Sequence, residues 1–420
     1  MRTFAVRTLG CKVNQYETQR LVEQLEALGW RHAQNGAAAE LCIVNTCTVT
    51  QEADAKSRQA LRRFRRDHPA AILVATGCYV ERDRAALEAI PGVDHLLDNA
   101  QKERLVEILG LLPDHGATIP FAISRFTGHA RAFLKVQDGC DRQCSYCILP
   151  RVRGRSRSRP IAEVLDEARR LVPNGYPELV LTGVHLGDYA DGENRLPDLV
   201  RVLDRIEGLR RLRFSSIDPK EVTPELVGTI ASSRTACPHL HISLQSGSRT
   251  VLERMSRDYT PEEYRHLVER AAAAIPDLCV STDLMVGFPG ETEDECADSL
   301  AMIDAVGFSK VHLFPFSPRP GTLAARRGDF VPRDVVKQRL AEVAAIVEKV
   351  AQRCRRRFVG RTLDVLIEGR TKDGRFDHGF TPNYLKTLVE PPGAQAGAVL
   401  PVHITSSDAV CLHGRVEVAP

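Results

Sequence analysis

Short apolar runs alternate with amphipathic stretches along the first quarter of the chain, and this period strongly constrains the fold. The apolar runs are FAVRTLG, LCIVNTC, AILVATGC and HLLD, and helical patterns follow them at about residues 17–28, 53–64, 84–89 and 102–109. Strands that alternate with helices predict a parallel sheet with helices on its faces. The sequence therefore predicts an N-terminal parallel-sheet α/β domain over residues 1–112.

Three cysteines of this region each stand at the carboxyl end of a predicted strand: Cys11 in TLGC, Cys47 in VNTC and Cys78 in ATGC. Open parallel sheets gather their sites beyond that edge, and spacings of 36 and 31 residues match one βαβ repeat. The fold can therefore bring three distant thiols together. Free cysteine is also among the most buried residue types, so position alone leaves a shared site and an ordinary core equally open. We assign Cys42, inside its strand, to the core.

Cysteine content and apolar patterning indicate the cellular setting. Twelve cysteines in 420 residues are too sparse for a secreted disulfide scaffold, and the N-terminus begins with a strand-like pattern rather than a signal peptide. No apolar run approaches the roughly 18 to 20 residues of a membrane span. We therefore expect a cytoplasmic protein without a membrane partner, in which cysteines bind metal or catalyse. A net charge of +3 indicates little about nucleic acid.

A second group of cysteines, Cys140, Cys144 and Cys147, lies in the run KVQDGCDRQCSYCILPR. Three thiols on a glycine-led loop can point at one centre, and three thiolates leave a four-iron cluster with one iron open to another ligand. Structural zinc sites close with four ligands, usually in two pairs of spacing two, and the nearest candidates, Cys237 and His185, lack that spacing. The spacing therefore favours an iron–sulfur cluster.

The pattern C-x-x-x-C-x-Y-C resembles the signature of the radical S-adenosylmethionine (SAM) enzymes. This resemblance implies that the open iron chelates SAM and that reductive cleavage yields a 5'-deoxyadenosyl radical. It also implies SAM contacts for Tyr146 in the motif, for Gly183 in TGVHLGDY and for Gln245 in SLQSGS. An aromatic side chain packed on its own barrel is the alternative for Tyr146.

The segments LGCKVNQYET, NTCTVT and TGCY resemble the N-terminal domain of the methylthiotransferases, a family within the radical SAM enzymes. The three cysteines of that domain hold a second 4Fe-4S cluster, again with one iron free. The resemblance therefore implies two 4Fe-4S clusters and SAM as cofactors, with Cys11, Cys47 and Cys78 as the second ligand set. The first segment is most similar to the branch of the family that acts on threonylcarbamoyladenosine in tRNA.

A second series of strands and helices follows a linker at 111–131, which carries Pro113, Gly116, Pro120 and Gly128. The predicted strands are AFLKVQD, ELVLTGV, RLRFSSI, HLHISLQ, LCVSTDLMVGF and KVHLFPF. Six βα units are short of the eight of a closed barrel, so we expect a partial (β/α)6 barrel over residues 126–354. The resemblance identifies it as a radical SAM barrel.

Arginines alternate directly after the loop cysteines, in RVRGRSRSR. In an extended segment, period two would place all of them on one side, where they could meet phosphates of RNA or of a cofactor. A solvent-facing charged edge is the alternative. The five residues are Arg151, Arg153, Arg155, Arg157 and Arg159, and the first three are our candidates for contact with nucleic acid.

The predicted secondary structure changes from helices to short strands after a long amphipathic helical pattern at 335–357. Short strands with turns at Gly369, at 373–374 and at 391–393 predict a small antiparallel β-barrel over residues 358–420. GFTPNYLKTLV resembles the TRAM domain, an RNA-binding module. Tyr384 and Lys386 could then stack on and neutralise unpaired nucleotides.

The resemblance covers nearly the whole chain and implies a tRNA methylthiotransferase that acts at C2 of threonylcarbamoyladenosine, at position 37 beside the anticodon. Its partners would be the tRNA anticodon stem-loop, an electron donor such as flavodoxin or ferredoxin, and a sulfur donor that the sequence leaves unknown. Isopentenyladenosine in tRNA and an aspartate of a ribosomal protein are alternative substrates. A noncatalytic iron–sulfur RNA-binding sensor is the alternative from another class.

Overall fold

A computed structural model of the chain describes residues 2–33, 37–112 and 122–417. Pro113, Gly116 and Pro120 of the predicted linker lie outside these residues. The chain forms two compact units: unit 1 comprises Met1–Thr127, Asp138–Arg157 and Ser317–Ala325, and unit 2 comprises Gly128–Gln137, Ser158–Phe316 and Arg326–Pro420. The segment with the second group of cysteines thus belongs to the same unit as the first third of the chain. No helix in the described part of the chain is both long and apolar enough to cross a membrane.

The first third of the chain forms a parallel five-stranded sheet with the order β2-β1-β3-β4-β5, which confirms the predicted fold of this region. Its elements are β1 (Thr3–Thr8), α1 (Lys12–Ala27), β2 (Arg31–His32), β3 (Leu41–Thr46), α2 (Gln51–Asp67), β4 (Ile72–Gly77), α3 (Cys78–Arg82), α4 (Arg84–Glu88), β5 (His95–Leu97), α5 (Asn99–Lys102) and α6 (Leu105–Ile108).

The central strand β3 is buried on both faces, as parallel strands covered by helices are. Cys42 and Val44 pack on one face with Leu61 of α2, whereas Leu41 and Ile43 pack on the other face in a cluster that includes residues of α1 and α6. Cys42 is 1% exposed, so its assignment to the core is confirmed. Both faces of the sheet are therefore filled, and the polar ends of its strands are the part left for a site.

The remaining elements, from the middle of the chain onward, form a second series of strands and helices and then a run of strands. They are β6 (Ala132–Lys135), β7 (Gln137–Asp138), α7 (Leu149–Arg153), β8 (Arg157–Ser158), α8 (Ile161–Leu171), β9 (Glu178–Thr182), β10 (Ala190–Asp191), β11 (Asn194–Arg195), α9 (Leu196–Leu203), β12 (Arg211–Phe214), β13 (Ser216–Ile217), α10 (Pro224–Ser232), β14 (His239–Ile242), α11 (Arg249–Arg254), α12 (Pro261–Ala274), β15 (Cys279–Val286), α13 (Glu293–Val306), β16 (Lys310–Pro315), α14 (Arg333–Arg356), β17 (Thr362–Arg370), β18 (Asp377–Phe380), β19 (Lys386–Glu390), β20 (Val399–Ser407) and β21 (Leu412–Val416).

The six predicted strands of the central region are all present and pair in parallel. Their order is β6-β9-β12 in one sheet and β13-β14-β15-β16 in another, and the chain passes directly from β12 to β13 at Ser215. The third predicted strand is thus divided between the two sheets. Among the described residues β6 does not pair with β16, so the series stays open as the count of six predicted.

The C-terminal strands close into a five-stranded barrel with the order β17-β18-β19-β21-β20. The predicted small barrel is confirmed, with two corrections. β19 and β21 pair in parallel, because an odd number of strands cannot pair antiparallel all the way around a closed ring, and the other four pairs are antiparallel. Gly369 lies within β17, at a bulge between Ile367 and Gly369, and not in a turn.

A buried carboxylate links the central strands of unit 2 to this small barrel. Glu178 of β9 is fully buried and pairs with Arg213 of β12 at 2.7 Å, with Arg131 at 3.2 Å and with Arg211 at 3.4 Å. Arg213 also donates to the carbonyl oxygen of Pro382, and Arg211 donates to that of Phe380. Burial alone raises the pKa of Glu178, but the charges of these arginines lower it to about 2. The three guanidiniums therefore keep one carboxylate ionised in the interior.

Candidate metal centres

The three cysteines at the strand ends, Cys11, Cys47 and Cys78, are named here the strand-end cysteines. Cys47 directly follows β3, Cys78 directly follows β4, and Cys11 caps the N-terminus of α1 after β1. Cys47 and Cys78 are each 3% exposed, whereas Cys11 is exposed. The pKa of the Cys47 thiol is raised to about 12, mainly by burial and in smaller part by the charges of Cys78 and Cys11. The three sulfurs thus lie close enough to interact.

Gly10 gives the strand-end cysteines the space in which they meet. Its φ is +98°, in the left-handed region, and a Cβ added there would lie 2.8 Å from the sulfur of Cys47. The sulfur therefore occupies space that only a residue without a side chain leaves free.

We expect Gly10→Ala to remove most of the iron held by the strand-end cysteines, because real Cβ atoms do not approach that closely. The measurement is iron and sulfide per chain in a background with Cys140, Cys144 and Cys147 changed to alanine. Gly29→Ala is a matched control, since its φ is +80° but nothing lies within 4 Å of the added Cβ. Full iron in Gly10→Ala would contradict the importance of this space.

Cys140, Cys144 and Cys147, named here the loop cysteines, lie between β7 and α7 and are all half-buried. The amide of Cys147 donates to the carbonyl oxygen of Cys144 at 3.0 Å, and the amide of Leu149 donates to the sulfur of Cys147 at 3.4 Å. Gly139 leads the loop with φ of +73°, and a Cβ there would lie 1.9 Å from a backbone oxygen. The loop therefore depends on glycine at its start, and it turns tightly between its last two sulfurs.

Each group of cysteines offers three sulfurs, the number of protein donors that a four-iron cluster with one open iron requires. None of the six thiols is in a disulfide. The burial of Cys47 and Cys78 disfavours bare thiolates, which an iron cluster would stabilise by its positive charge. Both groups therefore fit such a cluster.

Arg153 is buried beside a strand-end cysteine, which the alternation of arginines did not predict. It lies at the end of α7, directly after the loop cysteines, and its Nε donates to the sulfur of Cys78 at 3.2 Å. Its Nη1 donates to Glu17 at 2.6 Å, and Glu17 in turn pairs with buried Lys102 at 2.5 Å. Burial by itself lowers the pKa of Arg153, but the charges of Glu17 and Cys78 hold it well above its ordinary value. One guanidinium thus joins the chain segment of the loop cysteines to a strand-end cysteine.

The polar residues around Cys78 were missed by the sequence analysis. Asn14 and Glu17 both lie in the first half of α1, three residues apart and therefore on one helix face, and both accept hydrogen bonds from Arg153. Both are at most 3% exposed. The signal in the sequence was the spacing of these two polar residues within the motif GCKVNQYET. Polar residues that share one face of a buried helix require hydrogen-bond partners, so they indicate a polar cluster near Cys11.

The prediction that five alternating arginines share one side is wrong. Residues 149–153 form the helix α7, with a proline in its first turn, so period two does not apply there. Arg153 is 3% exposed and committed to the contacts above. Arg151 and Arg155 are both exposed, and Arg155 has an ion pair with Asp141 in which its side chain is 91% exposed. Contact with phosphate stays a prediction for Arg151 and Arg155.

A returning segment of the chain, Ser317–Ala325, completes unit 1. The amide of Ala324 donates to the carbonyl oxygen of Ser145 within the cysteine loop at 2.8 Å. Buried Arg319 pairs with Asp54 of α2 at 2.5 Å. The surroundings of the loop cysteines therefore come from three separate parts of the chain.

The residues assigned to SAM by resemblance occupy strand ends or the cysteine loop. Tyr146 is half-buried between two loop cysteines. Gly183 directly follows β9, and a Cβ there would lie 2.8 Å from the side-chain oxygen of Gln137. Gln245 has φ of +67°, a conformation that is strained for a residue with a side chain, and its amide donates to the carbonyl oxygen of Asp283. Their contacts with SAM stay predictions.

The two RNA candidates of the C-terminal barrel have different surroundings. The ring of Tyr384 stacks on Phe380 at 4.9 Å, lies 4.9 Å from the ring of His239, and has the guanidinium of Arg213 at 4.4 Å. Tyr384 is half-buried, and its stacking on bases stays a prediction. Lys386 is exposed at the start of β19, so contact with RNA remains open to it.

Two family models match this chain. The Radical SAM superfamily matches residues 134–303, and the uncharacterized protein family UPF0004 matches residues 3–98. The first match contains the loop cysteines, and the second contains all three strand-end cysteines.

Curated relatives match over nearly their full length. Threonylcarbamoyladenosine tRNA methylthiotransferase MtaB of Chlamydia pneumoniae is 42% identical over 94% of this chain and 93% of the relative. The protein of the same name from Bacillus subtilis is 36% identical over 96% and 94%. The tRNA-2-methylthio-N(6)-dimethylallyladenosine synthase of Clostridium novyi is 32% identical over 99% and 96%.

A solved structure shows the same fold at low identity. The radical SAM methyltransferase TsrM of Kitasatospora setae superposes with a TM-score of 0.58 over 77% of each chain, at 17% identity. The fold class predicted from the sequence is therefore confirmed. With the identities of the relatives above, it follows that the chain belongs to the radical SAM methylthiotransferase family, enzymes that transfer sulfur-containing groups.

Proposed function

We propose that the protein adds a methylthio group to C2 of N6-threonylcarbamoyladenosine at position 37 of tRNA. The observation that carries the proposal is the occurrence of both cysteine groups in one compact unit, joined by Arg153. The choice of nucleoside is supported by relatives of 36 to 42% identity that are named for threonylcarbamoyladenosine, against 32% for the dimethylallyladenosine enzyme of Clostridium novyi.

The cofactors of this family are SAM and 4Fe-4S clusters. We propose that the loop cysteines hold one cluster and the strand-end cysteines the other. C2 of adenine carries an unactivated aromatic hydrogen, so acid–base chemistry offers no route to it. When bound, SAM and the clusters supply the radical and the sulfur chemistry that this carbon requires.

The protein's own residues would position and shield these groups. Cys47 and Cys78 are buried, so water is kept from two of the three sulfurs at the strand ends. The ion pair of Glu17 with Lys102 holds Glu17 against Arg153, and this fixes the direction in which Arg153 donates to Cys78. We propose that Tyr146, Gly183 and Gln245 contribute to binding of SAM.

The anticodon stem-loop of tRNA is the proposed partner, with Arg151, Arg155 and Lys386 as candidate contacts with phosphates. All three are exposed. Reductive chemistry also needs an electron donor, and we propose a flavodoxin or ferredoxin. A tRNA substrate and twelve free cysteines fit a reducing cytoplasm.

The test is mass spectrometry of nucleosides from tRNA of a strain without the gene. We expect loss of the 2-methylthio form of threonylcarbamoyladenosine with accumulation of the unmodified nucleoside, and recovery when the wild-type gene is returned. The 2-methylthio form of isopentenyladenosine serves as internal control and should be unchanged. Loss of this second nucleoside instead would identify isopentenyladenosine in tRNA as the substrate. No change in either nucleoside would exclude tRNA as the substrate.

A further inference from the structure

The turn between β20 and β21 in the C-terminal barrel gathers three side chains of metal-binding type. They are Asp408, Cys411 and His413, and their donor atoms all lie within 4.8 Å of one another. The sulfur of Cys411 is 3.5 Å from Oδ2 of Asp408 and 3.7 Å from Nε2 of His413. Nε2 of His413 is 2.7 Å from the same Oδ2. This group belongs to unit 2 and contains none of the six cysteines discussed above.

The sulfur distances match those of a bound metal ion. A tetrahedral zinc ion at about 2.3 Å from sulfur and about 2.0 Å from nitrogen or oxygen places the sulfur about 3.5 Å from each of the other two donors. The nitrogen and oxygen would lie about 3.3 Å apart by the same geometry. This nitrogen and oxygen, now 2.7 Å apart, would therefore have to separate by about 0.6 Å to complete the arrangement.

Hydrogen bonds within the turn and from α14 fix the orientation of Asp408 and of the backbone that carries the three side chains. Oδ1 of Asp408 accepts from the amides of Val410 and Cys411 at 2.6 and 2.7 Å, so Oδ2 is the oxygen turned towards the other two side chains. Arg355 of α14 donates to the carbonyl oxygens of Asp408 and Ala409. Such outer contacts fix ligand orientation in metal sites.

Space for a further ligand adjoins the group. A cavity of about 300 Å³ is lined by Asp408 and His413 together with Glu390, Thr405 and Ser407, among others. A water molecule or the carboxylate of Glu390 could fill a fourth position from this side. A thiolate and an imidazole together select zinc over magnesium or calcium, which prefer oxygen donors.

We propose that Asp408, Cys411 and His413 bind a zinc ion that fixes the turn between β20 and β21 in the C-terminal barrel. The site is separate from the iron–sulfur chemistry and does not depend on the proposed function. The competing explanation of the same contacts is an Asp–His ion pair beside a buried thiol.

The test is zinc bound by the full-length protein after its iron–sulfur clusters have been reconstituted anaerobically and loose metal removed with EDTA. Zinc and iron per chain are measured together in wild type, Cys411→Ser, His413→Gln and the control Cys296→Ser, a buried cysteine far from this turn in sequence. We expect about one zinc per chain in wild type and control and a loss of at least fivefold in the other two, with iron equal in all four. Two variants are used so that misfolding of one, detected by circular dichroism, leaves the other informative.

X-ray absorption at the zinc edge identifies which cysteines hold the metal. One sulfur with nitrogen and oxygen donors is expected from the proposed ligands. A zinc bound to three sulfurs would belong to a cysteine group emptied of iron and would overturn the proposal. Absence of zinc in wild type, or equal zinc in wild type and both variants, would also overturn it.

Discussion

Changing Cys47 or Cys78 to alanine is expected to abolish the methylthio product while leaving release of 5'-deoxyadenosine detectable. Changing Cys144 to alanine is expected to abolish both. The reason is that the loop cysteines are proposed to hold the cluster that binds SAM. The strand-end cysteines are proposed to hold the cluster at which the sulfur to be transferred is bound. The measurement is parallel quantification of 5'-deoxyadenosine and modified nucleoside from the same anaerobic reactions.

Cys42→Ala is the matched control for this experiment. Cys42 lies on β3, only five residues before Cys47, but its side chain packs in the core on one face of the sheet. We expect this variant to keep both products. Methylthio product from an enzyme with all three strand-end cysteines changed to alanine would contradict the proposal that these cysteines hold the cluster that binds the transferred sulfur.

Glu178→Gln is expected to destabilise unit 2 by about 3 to 5 kcal/mol, because it removes the carboxylate that three buried arginines share, although Arg131 also pairs with Glu368. The pKa of Glu178 is lowered to about 2 in the folded protein, so its ionised form stabilises the fold at pH values above the ordinary pKa of about 4.5. This stabilisation is lost as the pH falls towards 2. The difference between wild type and variant should therefore be constant near pH 7 and shrink below about pH 4.5.

The measurement is urea unfolding followed by circular dichroism and by limited proteolysis of the small barrel, at several pH values. Glu225→Gln is the control, since Glu225 pairs with Arg201 on the surface with 60% of its side chain exposed. Exposed pairs of this kind contribute at most about 1 kcal/mol. An effect of Glu178→Gln no larger than that of the control would show that the arginines are satisfied by their other partners, the carbonyl oxygens of the small barrel and Glu368.

The parallel sheet and the position of the strand-end cysteines at one edge of it could be predicted, because both follow from the local alternation of strands and helices. Each strand–helix repeat contributes one strand end, and parallel pairing brings those ends to one edge. Cys42 was correctly separated from Cys47 by the same argument, since it falls inside its strand. The barrel of six strands was predictable for the same reason.

Features that depend on contacts between distant segments could not be predicted from the sequence. The alternation of Arg151 to Arg159 suggested an extended segment, but the proline in ILPRVR begins a helical turn that buries Arg153 against Cys78. The parallel pairing of β19 with β21 results from closure of the barrel, which local alternation does not encode. The contacts of Tyr384 with His239 and Arg213 join segments about 145 and 171 residues apart.

The composition of unit 1 from three separate stretches limits how this enzyme can be divided or recombined. A truncated chain that begins at the predicted barrel border near residue 126 would retain the loop cysteines but lose the acceptor residues Asn14 and Glu17 around Arg153. Exchange of the first third with that of a relative would likewise pair one protein's Arg153 with another's Cys78. In any chimera, the stretches 138–157 and 317–325 should therefore come from the same parent protein as the first third. The three stretches form one structural module, although they are encoded in separate parts of the gene.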